Sequence, residues 1–236
     1  PVPIFEINPD LSIAKTNSAL SQVTGYSTEQ LLKMNLSELT VTKRTGRTAR
    51  DAIEMKTVLS GELELDVPAG QKVIEYLYLP ILDDNGDVLS VISFYVDKTA
   101  EKTAVRDIIS LTQAAKAGQL DTRVDPDKYE GDLLLLAKGI NDTLDAVIGP
   151  LNVAAEYVDR ISKGDIPPKI TDSYNGDFNE IKNNLNQCID AVNYLIADAG
   201  MLSRAAVEGK LDTRADATKH QGDFRKIVEG VNATLD

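Results

Sequence analysis

The chain has 236 residues, 42% apolar and 26% charged, so it is long enough for more than one folded unit and too ordinary in composition to be disordered. Its formal charge of −12, from 25 basic against 37 acidic side chains, argues against nucleic acid or an anionic membrane surface as partner, because phosphate binding needs a basic footprint. One cysteine, Cys188, closes no intrachain disulfide, one histidine, His220, offers little for a zinc site or a histidine relay, and no apolar run approaches the roughly 18 residues of a membrane span. With no initiator Met, no signal-peptide pattern and an unfinished repeat at Asp236, the chain is expected to be a segment of something longer.

In chain order, Ile4-Phe5-Glu6-Ile7 and Ser12-Ile13-Ala14 read as short strands separated by the turn formers Asn8-Pro9-Asp10. Residues 18–34 read as short helices, one of them opened by Ser27 as N-cap. Residues 50–59 read as a further helix carrying Ile53, Met55, Val58 and Leu59, with Gly61 just past its end as a stop. Three strands are expected at residues 63–67, 73–82 and 88–96, the last two flanking Asp83-Asp84-Asn85-Gly86-Asp87, whose Asn-Gly step is a strong hairpin signal. That acidic tip lacks the Glu of a calcium loop, since Phe94 stands at the twelfth position. The expected fold of this region is α+β, a five-stranded antiparallel sheet with helices in its middle connection.

Over nearly all of residues 1–100 the chain resembles a PAS domain. PIFEINPDLSI at the start, TGYSTEQLLKM after it, the DDNGD hairpin and Asp97-Lys98-Thr99 at the end of the last strand carry the resemblance. The resemblance implies that Asp97 and Thr99 couple the sheet to the outgoing helix. Both side chains can accept backbone N–H bonds at a helix start near Ala100. The region contains no His and no Cys, which removes the axial ligand of a haem-binding PAS domain and the cysteine of flavin-adduct or cinnamoyl photoreceptors. No cofactor is therefore expected, and two readings of the interior stay open. Phe5, Leu79 and Phe94 either line a cavity for a non-covalent flavin or small apolar ligand, or fill an ordinary core.

From Glu101 onward the β-branched runs stop and apolar residues recur at helical spacing. Residues 111–145 align without a gap on residues 202–236 at about half identity, and a more diverged copy lies between them. The shared marks are Gly118, Gly164 and Gly209; then Gly131-Asp132, Gly176-Asp177 and Gly222-Asp223; then Asn141, Asn186 and Asn232. Each copy specifies two helices with one narrow stripe apiece. The first helices carry Ala104, Ile108, Leu111 and Ala115, then Ala154, Tyr157 and Ile161, then Leu195, Ala199, Leu202 and Ala206. The second carry Leu133, Leu136, Ile140, Leu144 and Val147, then Phe178, Ile181, Leu185, Ile189 and Val192, then Phe224, Ile227, Val231 and Leu235. Gly149-Pro150 is expected to kink the helical run between the first two copies, whereas one unbroken helix is expected through residues 191–207. Cys188 reads as a small, partly buried side chain, and His220, where the first copy has Tyr129, reads as a surface aromatic.

The connector of about 13 residues reaches about 40 Å at roughly 3.3 Å per residue, while a 15-residue helix is only about 22 Å long. It can therefore run back along the first helix and leave the two helices parallel. Leu120 and Val124, Ile166 and Ile170, and Leu211 and Ala215 sit four apart as paired apolar anchors. Two parallel helices of one chain cannot bury both stripes, so a second copy must supply the other half. The expectation is a parallel homodimeric four-helix bundle in each copy, stacked three high, with Ile108, Leu111, Leu136, Ile140, Ile181, Leu185, Ile227 and Val231 in the bundle cores.

A helix, a Gly-x-Leu/Ile connector with two apolar anchors, an acidic residue opening the second helix and an Asn inside it make this half similar to HAMP domains, at residues 101–149, 150–193 and 194–236. It departs from the many HAMP units that open the second helix with Asp-Glu, because Gly-Asp stands here. No catalytic constellation and no metal spacing appears, so an enzyme is not expected. The resemblance implies a chemoreceptor's signal-transduction segment, cytoplasmic or the cytoplasmic part of a membrane receptor, relaying a PAS input to a downstream output domain. Through that domain it would reach the chemotaxis kinase and coupling protein. The same relay in a histidine kinase or cyclase, and a passive dimerising spacer, remain the alternatives.

Overall fold

The computed structural model describes residues 2–234. The chain forms two compact units, Pro1–Asn141 and Asp142–Asp236, each taken here by itself.

The first unit holds one antiparallel sheet of six strands in the order β2-β1-β6-β5-β4-β3. The strands are β1 (Ile4–Ile7), β2 (Ile13–Thr16), β3 (Thr40–Gly46), β4 (Leu59–Val67), β5 (Gly70–Leu82) and β6 (Val88–Asp97). The expected count of five falls one short because β3 was not foreseen. Its sequence, TVTKRTG, is charged and lacks a clean alternation, as suits an edge strand paired on one side only. Helices α1 (Ser18–Thr24), α2 (Thr28–Leu31) and α3 (Ala49–Met55) cover one face. Ser27 caps α2 through a reciprocal box with Gln30, and Asn17 and Thr48 cap α1 and α3.

Helix α3 is shorter than its apolar pattern implied. Lys56 takes a left-handed conformation and ends it, and residues 59–61 already belong to β4. Gly61 is thus a strand residue, not a helix stop. A Cβ there would overlap the Thr45 carbonyl oxygen and the Tyr76 hydroxyl, so only Gly lets β3 and the Tyr76 ring approach. Phe5, Ile7, Leu63, Leu65, Val67, Ile74, Tyr76, Tyr78, Val91 and Tyr95 fill the covered face. At the β5–β6 hairpin, Asp83 Oδ1 accepts from the N–H groups of Asn85 and Asp87 at 2.9 Å each, and Gly86 supplies the positive φ.

Beyond the sheet, helix α4 (Thr99–Lys116) is followed by α5 (Gly131–Ser162), α6 (Asp177–Val207) and α7 (Gly222–Ala233). Helix α5 runs unbroken through Pro150, which lacks the N–H that would bond to the carbonyl four residues earlier. Helix α6 is unbroken over residues 191–207. The first helix of each repeat ends on a left-handed glycine, Gly118, Gly164 or Gly209. The next N–H then closes back on the carbonyl five residues earlier, as Gln119 on Ala114, Asp165 on Arg160 and Lys210 on Ala205. Leu235, the last stripe position, lies outside the described residues.

Replacing Gly61 by Val forces the β3–β4 edge apart. Thermal unfolding should show this unit destabilised by about 1–3 kcal/mol, and an unchanged midpoint would contradict the packing described.

Candidate functional site

Two arrangements stand out, and both are hydrogen-bond locks. The first joins the sheet to α4. Asp97 ends β6 opposite Ile74, and its Oδ1 accepts the Thr99 N–H at 2.9 Å and the Thr99 hydroxyl. Thr99, expected from sequence to accept N–H bonds at the helix start, does not do so. Its Oγ1 instead accepts the Val73 N–H of β5 at 2.9 Å, while the Lys98 N–H donates to the Val73 carbonyl at 2.7 Å. The first residue of α4 is therefore bonded to the strand that carries Tyr76 and Tyr78. Further along, Lys102 pairs with Glu62 at 2.6 Å and Arg106 with Glu64 at 3.4 Å on the uncovered side of β4. Ala104 is buried between them along the helix.

Burial opposes ionisation of Asp97, but the Thr99 hydroxyl and amide and the Lys72 ammonium at 3.3 Å outweigh it and hold the carboxyl below its usual range.

The second lock recurs three times. Asn141 accepts the Val124 N–H at 3.0 Å and donates to the Val124 carbonyl at 2.7 Å. Asn186 does the same to Ile170 at 2.8 and 3.0 Å, and Asn232 to Ala215 at 3.0 and 2.8 Å. Each side chain thus saturates both backbone groups of the second apolar anchor, and Val124, Ile170 and Ala215 are all buried. The first anchors differ: Leu120 and Leu211 are exposed and Ile166 half-buried in the single chain. Gly131, Gly176 and Gly222 turn the chain into the second helices with φ of 55°, 53° and 52°. Asp132, Asp177 and Asp223 lie exposed in the first turns, where a negative charge favours the helix end.

A third contact was missed. His220 is buried, not a surface aromatic, and its Nε2 lies 2.7 Å from Asp198 Oδ2. Tyr129 occupies the same place in the first repeat and donates to Asp107 Oδ2 at 2.7 Å. Burial, then the Asp107 carboxylate, pushes the phenol up to about 12, leaving it a fixed donor. The 91-residue offset between the two pairs was visible in the alignment. The acid on the facing helix could have been found by following it. Cys188, expected partly buried, is exposed, since it sits one position off the stripe residue Ile189.

Of the cavity residues expected from sequence, Phe5 is buried on the covered face. Leu79 and Phe94 stand on the other face by strand parity, alternating with Tyr78 and Tyr95. Of the expected bundle positions, Leu111 is buried and Ile108, Ile140 and Leu185 half-buried. Leu136, Ile181, Ile227 and Val231 remain 47%, 37%, 50% and 41% exposed, so the single chain leaves the seam open.

Compared with known proteins, residues 1–100 match the PAS domain family and residues 117–194 the HAMP domain family. The methyl-accepting chemotaxis protein McpB of Pseudomonas aeruginosa is 26% identical over 148 residues, 63% of this chain. The chain spans only 21% of that protein's length. Among solved structures, an RNA-binding light-oxygen-voltage receptor matches 42% of this chain and 30% of its own at 22% identity and a TM-score of 0.37. The PAS domain of a Colwellia psychrerythraea protein matches 41% and 85% at 20% identity and a TM-score of 0.35.

Two outcomes test these locks. Replacing Asn186 by Leu strips both partners from Ile170, and urea unfolding should register a loss of about 1–3 kcal/mol. Because the Asp97 carboxyl titrates below its usual value, its contribution is complete above the ordinary carboxylate range and disappears as pH falls through the lower folded value. Asp97→Asn should therefore flatten the acid limb of the stability profile, and a superimposable limb would show the carboxylate to be idle.

Proposed function

Starting from a chain that carries a PAS domain at residues 1–100 and HAMP sequence at residues 117–194, we propose that it is the signal-relay segment of a chemoreceptor. The PAS core sets the packing of successive HAMP bundles, and the last bundle drives an output domain of the same polypeptide. The likeness to McpB supports the receptor reading, and with it a cytoplasmic setting and the chemotaxis kinase and coupling protein as partners through the output domain.

One observation carries the proposal. The stripe recurs in all three repeats, and Leu136, Ile181, Ile227 and Val231 stay exposed although the connectors beside them are already locked by Asn141, Asn186 and Asn232. A second copy lying parallel would bury them and convert each repeat into a four-helix bundle, the bundles stacked in succession. Val105 and Ile109, at 53% and 52% exposure beside the expected stripe, widen the open face of α4. Bundles of this kind have two close packings, and relay requires them to differ by only a few kcal/mol. The input route is short: a change beside Tyr76 or Tyr78 moves β5, Val73 moves with it, and Thr99 passes the shift to α4.

In a Cys188→Ser background, single cysteines placed in turn at positions 104–116 should crosslink like with like, with yields peaking at helical spacing on the apolar side. Asp97→Ala should move the peaks. Uniform or absent crosslinking would refute the dimer, and peaks indifferent to Asp97→Ala would leave a passive spacer.

A further inference from the structure

Strand β3 is bulged. Val41 stands opposite Leu65, but the following pairs are Lys43 with Glu64 and Arg44 with Leu63, so β3 accommodates one extra residue there. Leu63 and Leu65 both face the core. Regular alternation from Val41 would send Lys43 inward, and the extra residue sends Arg44 instead. Its guanidinium lies 5.8 Å from the centroid of the Tyr76 ring and beside the Tyr78 hydroxyl, while its Nη1 is buried and has no hydrogen-bond partner among the described residues. Asp51 is the acid whose charge is felt on that side, but its Oδ2 is engaged by the Thr48 N–H and hydroxyl at 2.7 and 2.8 Å, and it makes no ion pair with Arg44. A buried guanidinium N–H without an acceptor is costly, so a fold that bends a strand to place one there is equipped to receive an oxygen anion.

Arg44 borders a cavity of about 280 Å³. Leu11 and Leu36 form its apolar side; Arg44 and Arg50 bring two positive charges, and Ser37 and Tyr78 bring hydroxyls. Ser37 gives its proton to Asn35 at 2.6 Å and so presents only an acceptor, burial keeps the Tyr78 phenol protonated, and the donors of the wall are that phenol and the two guanidinium groups, with no carboxylate in the lining. At roughly 30 Å³ per water-sized group the space takes about nine of them, which suits a small organic molecule rather than a polycyclic cofactor.

We propose that this cavity of the PAS domain binds a small amphipathic carboxylate, its anionic end on Arg44 and its apolar end against Leu11 and Leu36. The inference rests on the sensor reading above and deepens it by naming the chemical class of stimulus. The orphaned donor, the bulge that aims it and the one-sided charge of the wall point the same way.

Calorimetric titration of the full chain with straight-chain carboxylates from butyrate to octanoate and with benzoate, each against its primary amide, tests it. At least one carboxylate should bind about tenfold or more tighter than its amide. Arg44→Met should lose that preference while the unliganded chain melts no lower than before, because a half-buried charge with one unsatisfied nitrogen has been removed. Arg44→Lys, which keeps the charge and loses the planar fork, should bind several-fold more weakly while remaining folded. Equal binding of acids and amides, or an unchanged preference in Arg44→Lys, overturns the site, as does a lower unliganded melting point of Arg44→Met. Carboxylate binding that leaves the crosslinking pattern of positions 104–116 unmoved would keep the site and sink the relay. A pattern that responds to Asp97→Ala in a chain that binds no carboxylate would do the reverse.

Discussion

A helix with one narrow apolar stripe has to lay it against something, and we propose that in this chain the partner is a second copy of the polypeptide. The connectors use up what each helix pair offers internally, since Val124, Ile170 and Ala215 are buried and their backbone groups saturated by an asparagine. What remains is a row of half-covered side chains from Leu136 to Val231. The hydrophobic clusters show the contrast. The sheet unit buries a broad set of aromatic and aliphatic residues under α1 to α3, whereas among the described residues of the third repeat the buried cluster is Leu202, Ala215 and Val228. A seam so thin is well suited to two alternative packings, because little energy separates them, and poorly suited to a free-standing monomer.

In the proposed relay, the junction at Asp97 and Thr99 is the input to that seam. Thr99 is bonded to Val73 and to Asp97 at once, so the start of α4 follows the β5–β6 ladder. The core face of β5 carries Tyr76 and Tyr78, with Tyr78 next to Tyr95 across the strand pair at 3.4 Å. Arg44 lies over the first of these rings. The place proposed for a ligand and the place where the helix leaves the sheet are thus two stretches of one strand, and no long chain of intermediates is needed.

Much of this was legible in the residues. Helical spacing, the repeated glycines and the paired anchors defined the helical half, and the Asn-Gly step defined the hairpin. The sixth strand was not legible because an edge strand buries little and need not alternate. Leu79 and Phe94 were assigned to the interior because a strand apolar on both faces gives no clue which parity faces the helices; the tyrosines settle it. Arg44 was invisible for a sharper reason: only the bulge turns it inward, and a bulge is a property of strand pairing. His220 was read as surface because connectors are usually exposed, yet an acid one helix away pulls it in, as it does Tyr129.

The claim on which the account turns is that two copies of the chain lie side by side with like ends together. Pulsed dipolar spectroscopy on chains carrying one spin label, at position 112 in one sample and at position 225 in another with Cys188 replaced by Ser, reads this directly. The account predicts a short interchain distance in both samples. Long distances in both, or no dipolar coupling at concentrations where the chain is folded, would contradict it.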